Sequence, residues 1–335
     1  MSTPVDPPEV PLAPPPSVRR PSVSWSGLVE SAGLFGVLAT LTGFLAPLHW
    51  TFELTSHFRV QLAVALGALA LISALGRRKV SFLIFLLAAL MNLGPVLWSS
   101  RPSGIAAETS ATPLRLLSIN VHTDNRRSDQ LIELVQRLNP DVLLLMEVDN
   151  RWMEEIAVLR TNYPTVISET REDNFGIALL SGVPLRNTRV EDLEGSEVPS
   201  ITTEIQLPGR TVHLLGTHPV PPAKPDYAQE RNRHLAAAGA WAGTHPGFAV
   251  ILGDLNTTPW SSYFTELLRA GSLVRSHPNW GLFATWKVSE PWFHLPLDHC
   301  LVSPEIAVTR MEVGPEIGSD HRPLIVELAV PTSAR

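Results

Sequence analysis

The sequence of 335 residues predicts an α/β protein in which mixed β-sheets pack on each other under covering helices, preceded by three transmembrane helices. Two observations lead there. Three uncharged apolar stretches, 31–52, 60–76 and 80–100, stand ahead of everything else. Beyond them strand and helix patterns alternate, with too many strands between helices for a purely parallel sheet.

A membrane span needs about 20 apolar residues, so the first and third stretches qualify outright and the second is short. A cleaved signal peptide does not account for the first, because no Ala-x-Ala pattern closes it and two further apolar runs follow. Arg19 and Arg20 precede the first stretch, and Arg77, Arg78 and Lys79 separate the second from the third. Basic loops remain in the cytoplasm, so the N-terminus is expected inside and the chain after about residue 100 outside. The loop 50–59 is then extracytoplasmic, and Trp50 and Trp98 fall where interfacial anchors belong. Residues 1–28, rich in proline, read as a disordered cytoplasmic tail, 29–100 as the anchor, 101–113 as a linker and 114–331 as one globular domain.

Residues 1–113 hold 7 of the 26 Lys and Arg and 5 of the 32 Asp and Glu, which leaves 19 basic against 27 acidic side chains beyond them, a net −8. Such a surface offers no general attraction to polyanions and argues against a nonspecific nucleic-acid binder. The single cysteine, Cys300, excludes an internal disulfide.

Within the globular part, strands are expected at 114–121, 142–148, 164–168, 175–180, 200–207, 211–217 and 248–252. Late strands follow at 298–302, 306–313 and 322–330. Amphipathic helices are expected at 128–138, capped by Ser128, at 151–160 and at 226–242. Another runs from Pro259 to Arg269 with Thr258 as its cap.

The chemistry centres on Gly253-Asp254-Leu255-Asn256, which ends a short apolar run bounded by glycines. A carboxylate and a carboxamide two residues apart at a strand end can serve one ligand. The first takes a proton and the second orients a nucleophile, although Gly-Asp-x-Asn also makes an ordinary turn. Other polar residues recur at the same kind of place. Asn120 and Glu147 end apolar strands, His218 follows another, Asp298 and His299 open a late one, and Ser319-Asp320-His321 precedes the last. A single cleft assembled from several loops produces this distribution.

The ordered signposts Leu117-Ser118-Ile119-Asn120, Leu145-Met146-Glu147-Val148, Asn174-Phe175-Gly176, Gly216-Thr217-His218-Pro219, Gly253-Asp254-Leu255-Asn256, Thr285-Trp286, Leu297-Asp298-His299 and Gly318-Ser319-Asp320-His321 resemble the endonuclease/exonuclease/phosphatase superfamily of metal-dependent phosphoesterases. The three spans and the Thr-His-Pro-x-Pro-Pro run are similar to its membrane-anchored branch, which includes a bacterial teicoplanin-resistance membrane protein. The resemblance implies a four-layered sandwich of two mixed sheets flanked by helices, and Mg²⁺ with Mn²⁺ as substitute. By the same resemblance Glu147, Asn120 and Asp320 stand at the metal and Asp254 activates water. Asn256 orients the water or the phosphate, His321 meets the scissile phosphate with Asp298 orienting it, and His218 is a second histidine there.

Chemistry independent of the family asks for the same set. Hydrolysis of an anionic ester needs positive charge on the phosphoryl oxygens and a placed water. This sequence departs from the family at Met146, which replaces the glutamine usual before the metal glutamate. His218 has no evident acidic partner apart from Glu172 or Asp173 nearby, and Arg231 reads as a surface residue, with correspondence to a helix arginine of the family as the alternative. The functional expectation is an extracytoplasmic phosphoester hydrolase acting at the bilayer on a lipid-linked phosphate or pyrophosphate of the cell envelope. An extracellular nuclease and a sphingomyelinase-like phospholipid phosphodiesterase are the alternatives, and a catalytically dead tethered module would have lost a polar residue that this chain retains.

Overall fold

The structure is a computed structural model that describes residues 24–332 except 104, 106, 108, 109 and 194. Most of the proline-rich tail expected at 1–28 therefore lies outside the described residues. Helix α1 (Trp25–Phe44) starts within the remainder of that tail, capped by Ser24, whose hydroxyl accepts from the Gly27 amide.

The first apolar stretch does not form one helix over 31–52. The helix stops at Phe44, a 3₁₀ turn (Ala46–Leu48) contains Pro47, and a separate helix α2 (Trp50–His57) follows. Proline lacks an amide donor and disfavours helical geometry in the residue before it, which breaks the run despite its hydrophobicity. Helices α3 (Arg59–Leu75) and α4 (Lys79–Ser100) complete the segment. Among the described residues two helices, α1 and α4, are long and apolar enough to cross a membrane, and α2 with α3, bent by 67°, would make a third if the pair were one span. The bundle packs through small residues and a few polar links. A Cβ on Gly33 would lie 2.0 Å from the Phe85 ring, and Asn92 Nδ2 donates to Thr40 Oγ1 at 2.7 Å. Phe35, Leu75 and Leu87 point outward and exposed.

The globular part contains β1 (Thr112–Asn120), α5 (Ser128–Leu138), β2 (Val142–Met146), α6 (Asn150–Glu155), β3 (Thr165–Glu169), β4 (Ile177–Ser181), β5 (Leu185–Asp192), β6 (Pro199–Leu207), β7 (Arg210–Gly216), α7 (Pro225–Gly243), β8 (Ala249–Asp254), α8 (Ser262–Ala270), β9 (Val274–Arg275), β10 (Asp298–Val302), β11 (Ala307–Val313) and β12 (Leu324–Val330). The strands form two six-stranded mixed sheets, ordered β11-β12-β1-β2-β4-β3 and β5-β6-β7-β8-β10-β9. Only β1–β2 and β7–β8 pair in parallel among the strand pairs described.

Side-chain alternation with period two builds the layers. Leu114 and Leu116 of β1, Leu144 of β2, Val250 and Leu252 of β8 and Cys300 of β10 meet in the core between the sheets. Leu117 and Ile119 face the other way onto α5 and α6, through Leu131, Leu134 and Trp152. Ile251 and Leu301 likewise meet Leu235 of α7 and Phe264 of α8. Helices thus flank both sheets.

Several local expectations are corrected. The sequence pattern does not mark strand β5, because Leu185-Arg-Asn-Thr-Arg-Val-Glu-Asp carries charges through its length; it lies at a sheet edge, where charge is tolerated and prevents further pairing. Ser128 is the first helical residue of α5 rather than its cap, and no side chain caps that end. Helix α8 is capped by Ser261, not Thr258. The helix expected over 151–160 is α6 followed by a 3₁₀ turn (Ile156–Thr161).

Candidate active site

Alternation also explains how the site is assembled. Asn120, Asp254 and Asp298 have the same parity as the apolar residues that fill the space between the sheets, so each projects into that space where its strand ends or begins. Asp254 and Asp298 are direct cross-strand partners. His299, of opposite parity, turns away to the Phe264 ring and the Thr257 carbonyl. Parity would send Glu147 away too, but the residue adopts a left-handed backbone (φ 62°) and its carboxylate reaches the cleft. A non-glycine residue held there is a strained position of the kind found at functional sites. Gly253 serves the same corner: at φ 145°, a Cβ would lie 1.9 Å from the Thr217 carbonyl oxygen.

The structure brings all eight expected residues together. Asn120 Nδ2 donates to Glu147 Oε1 at 2.8 Å and to Asp254 Oδ2 at 3.3 Å. Asp254 Oδ1 accepts the Asn256 amide at 2.9 Å, while Oδ2 faces the Nε2 atoms of His218 at 3.6 Å and His321 at 3.5 Å. His321 Nδ1 donates to Asp298 Oδ2 at 2.8 Å. Asp320 accepts from Trp286 Nε1 at 3.0 Å, and Asn256 Nδ2 donates to the Pro219 carbonyl at 2.9 Å. The groups open onto a cleft of about 470 Å³.

Electrostatics hold Asp254 and His321 charged. Burial alone would raise the Asp254 pKa, but His321, His218 and the hydrogen bonds from Asn256 and Asn120 outweigh it and keep the carboxyl ionised. Burial likewise works against a charged His321, yet Asp298 and Asp254 push its pKa up to about 10.

Three residues behave differently from their sequence reading. The partner of His218 is Asp254 rather than Glu172 or Asp173, since Asp173 pairs with Arg171. The substitution at Met146 does not leave a gap in the polar network, because its sulfur accepts the Asp254 amide at 3.1 Å. Arg231 is not on the surface: it is fully buried, pairs with Glu53 of α2 and donates to the Asn256 carbonyl at 2.8 Å. The loop expected at 50–59 is correspondingly a helix packed on the globular part, and its Leu54, His57 and Phe58 line the cleft. Nothing in sequence spacing links them to a site whose residues run from Asn120 to His321; the only signal is one acidic residue, Glu53, in an apolar region. Trp286, of the Thr285-Trp286 signpost, acts in the site by holding Asp320 through its indole N–H.

The donors present suit a divalent cation. Asp254, Asp298 and His321 have ligand atoms within 4.8 Å of one another. In that trio both His321 nitrogens face carboxylates, so the imidazole is a protonated donor with no lone pair to offer. Glu147 is better placed. Its Oε2 is buried without a hydrogen-bond partner, Asn120 holds the other oxygen, and Asp320 lines the same cleft. A hard oxygen set open to the cleft fits an ion completed by water and substrate.

Two mixed sheets flanked by helices, with carboxylates, amides and histidines at the strand ends of one cleft, define a metal-dependent phosphoric ester hydrolase. The family model described as Endonuclease/Exonuclease/phosphatase family matches residues 117–321, and the chain belongs to that family. No curated protein matches. Solved structures of similar fold include a humanized D. rerio TDP2 with 14 mutations (16% identity, TM-score 0.54, 65% of this chain and 99% of that one). A truncated Caenorhabditis elegans TDP2 (20%, 0.53, 65% and 98%) is another. A third is the Neisseria 3′ phosphatase NExo bound to a product DNA hairpin (20%, 0.53, 64% and 98%).

Proposed function

We propose that the protein is a membrane-anchored, Mg²⁺-dependent phosphoester hydrolase whose catalytic domain lies outside the cytoplasmic membrane and acts on a lipid-linked phosphate or pyrophosphate. The observation that carries this reading is the composition of the cleft. Its lining combines the polar Glu147, Asp254 and His321 with the apolar Leu54 of α2 and Phe58, which follows α2. An ester with a charged phosphate and an apolar tail matches both.

The orientation rests on charge. The basic turn at 77–79 is held to the start of α1 by the Arg78–Glu30 pair, whereas the far end of α4 meets the globular part through the Gly281 amide and the Ser100 carbonyl. Those ends are separated by 22 helical residues, about 33 Å. A basic turn at the opposite end from the catalytic domain favours an extracytoplasmic domain.

Glu147, Asn120 and Asp320 would hold the ion, which when bound neutralises phosphoryl oxygens. Asp254, kept ionised, accepts the proton of the attacking water as the new P–O bond forms and the ester P–O bond breaks. Asn256 orients that water. His321, protonated, and His218 donate to phosphoryl oxygens as negative charge grows there, and Asp298 fixes the His321 ring. Full-length protein in detergent with Mg²⁺, assayed against polyprenyl phosphates, phospholipids and single-stranded DNA, tests the reading. Preference for a lipid phosphate is expected. Efficient DNA degradation with every polyprenyl phosphate ignored would overturn it.

A further inference from the structure

We propose that α2 is a built-in wall of the active site that selects for an apolar group beside the scissile phosphate, and that Glu53 and Arg231 position it. The inference rests on the lipid-phosphate reading and adds the residues that enforce it.

Helix α2 is fastened to the loop that follows Asp254 and carries Asn256. The Glu53 carboxylate pairs with Arg231, and its Oε1 accepts from Ser261 Oγ at 2.9 Å. Arg231 passes the contact on to the Asn256 carbonyl. One turn along α2, His57 Nδ1 meets Thr258 Oγ1 at 3.0 Å. Glu53, Arg231 and Ser261 are completely buried. Charges withdrawn from water this far are tolerated only when paired, so the interface has a strong preference for one arrangement. Just beyond it, Gln61 Nε2 donates to the His294 carbonyl and Phe58 packs edge-on against Phe293.

Within this fixed frame Leu54 and Phe58 are only half-buried, because their remaining surface faces the cleft. The same helix runs directly into α3 and its exposed apolar face. An alkyl chain leaving the apolar anchor region therefore meets Leu54 and Phe58 before its phosphate reaches Asp254 and His321. A small soluble ester would leave this wall wet and gain nothing from it.

The test uses full-length protein in detergent with Mg²⁺ and a series of p-nitrophenyl phosphodiesters whose second ester group grows from methyl to dodecyl. Wild type is expected to show kcat/KM rising with chain length. Leu54→Ser and Phe58→Ser should each cut the dodecyl-to-methyl ratio by roughly tenfold, mainly through KM. Glu53→Gln, which loosens the latch with Leu54 and Phe58 still present, should flatten the same ratio. Should Glu53→Gln fail to fold, the two half-buried positions still decide. A chain-length preference that persists in Leu54→Ser and Phe58→Ser would overturn the wall and leave the lipid reading standing. A wild type indifferent to chain length would overturn both.

Discussion

Asp254 and Asp298 sit directly opposite each other on adjacent antiparallel strands, and one imidazole, His321, lies against both carboxylates. Two like charges at such a separation repel in a buried setting, and the protonated ring between them removes the repulsion. Strand register thus supplies a charge arrangement that loops alone would hold less precisely.

Removing either end of this relay should affect turnover more than affinity. Asp254→Asn and His321→Ala are expected to lower kcat by about 10²-fold or more, as loss of a proton-transfer or charge-stabilising group does. Asp298→Asn should cost less, because it removes only the anchor of the His321 ring. Steady-state kinetics on folded variants checks this, and near wild-type turnover in Asp254→Asn would exclude its role as base.

Metal dependence should run through Glu147. Glu147→Gln keeps the shape of the side chain and its bond from Asn120 but removes the charge, so Mg²⁺ affinity and activity are expected to fall together. Calorimetric titration of Mg²⁺ together with assays after EDTA treatment measures both. Wild type that stays fully active without divalent metal would exclude the assignment.

Two buried histidines should make the fold acid-sensitive. His234 bonds to Thr217 and Ser196, and burial first, then His218, lowers its pKa to about 4. His277 is lowered to about 3 by burial and by Arg275 and His299. Unfolded, each titrates near 6.5, so between that value and the folded pKa the unfolded chain binds more protons. Their stabilisation is complete above pH 6.5 and is lost as pH falls towards 4, by roughly 3 kcal/mol for His234. His321, shifted up to about 10, acts oppositely: its contribution is full below 6.5 and disappears as pH rises through 10. Denaturation midpoints across pH 4–10 should show both limbs, and replacing His234 by Gln should flatten the acid one.

Gly253→Ala should be far more damaging than an ordinary surface change. The added methyl would meet the Thr217 carbonyl at 1.9 Å, so the β8 corner must move and carry Asp254 with it. A stability loss of roughly 3 kcal/mol is expected, accompanied by loss of activity. Thermal denaturation and kinetics of the one variant test it.

Topology is open to direct measurement. Under the proposed orientation, with the basic 77–79 turn inside, a reporter fused after Arg335 is expected to be active only outside the cytoplasm. Activity confined to the cytoplasm would reverse the orientation and remove access to an outer-leaflet substrate.

What the sequence determined by itself was whatever depends on local pattern. Apolar runs bounded by glycine or a polar residue marked β1, β2, β7 and β8, and the polar residues at their ends, Asn120, Glu147, His218 and Asp254, stood out against that background. Period-two alternation then carries Asn120, His218 and Asp254 to one place, while Glu147 reaches it only through its left-handed backbone. Tertiary structure decided what depends on partners distant in sequence. β5 is a strand because β6 offers a ladder, despite its charged composition. Met146 satisfies the Asp254 amide because two sheets meet there, and the φ of Glu147 is set by its surroundings rather than by its neighbours. Arg231 and Glu53 have the same physical origin. Each alone reads as a solvated charge, since a single charge cannot be buried; only the folded chain, bringing residue 53 against residue 231, pairs the two and makes a segment of the N-terminal helical region part of the cleft.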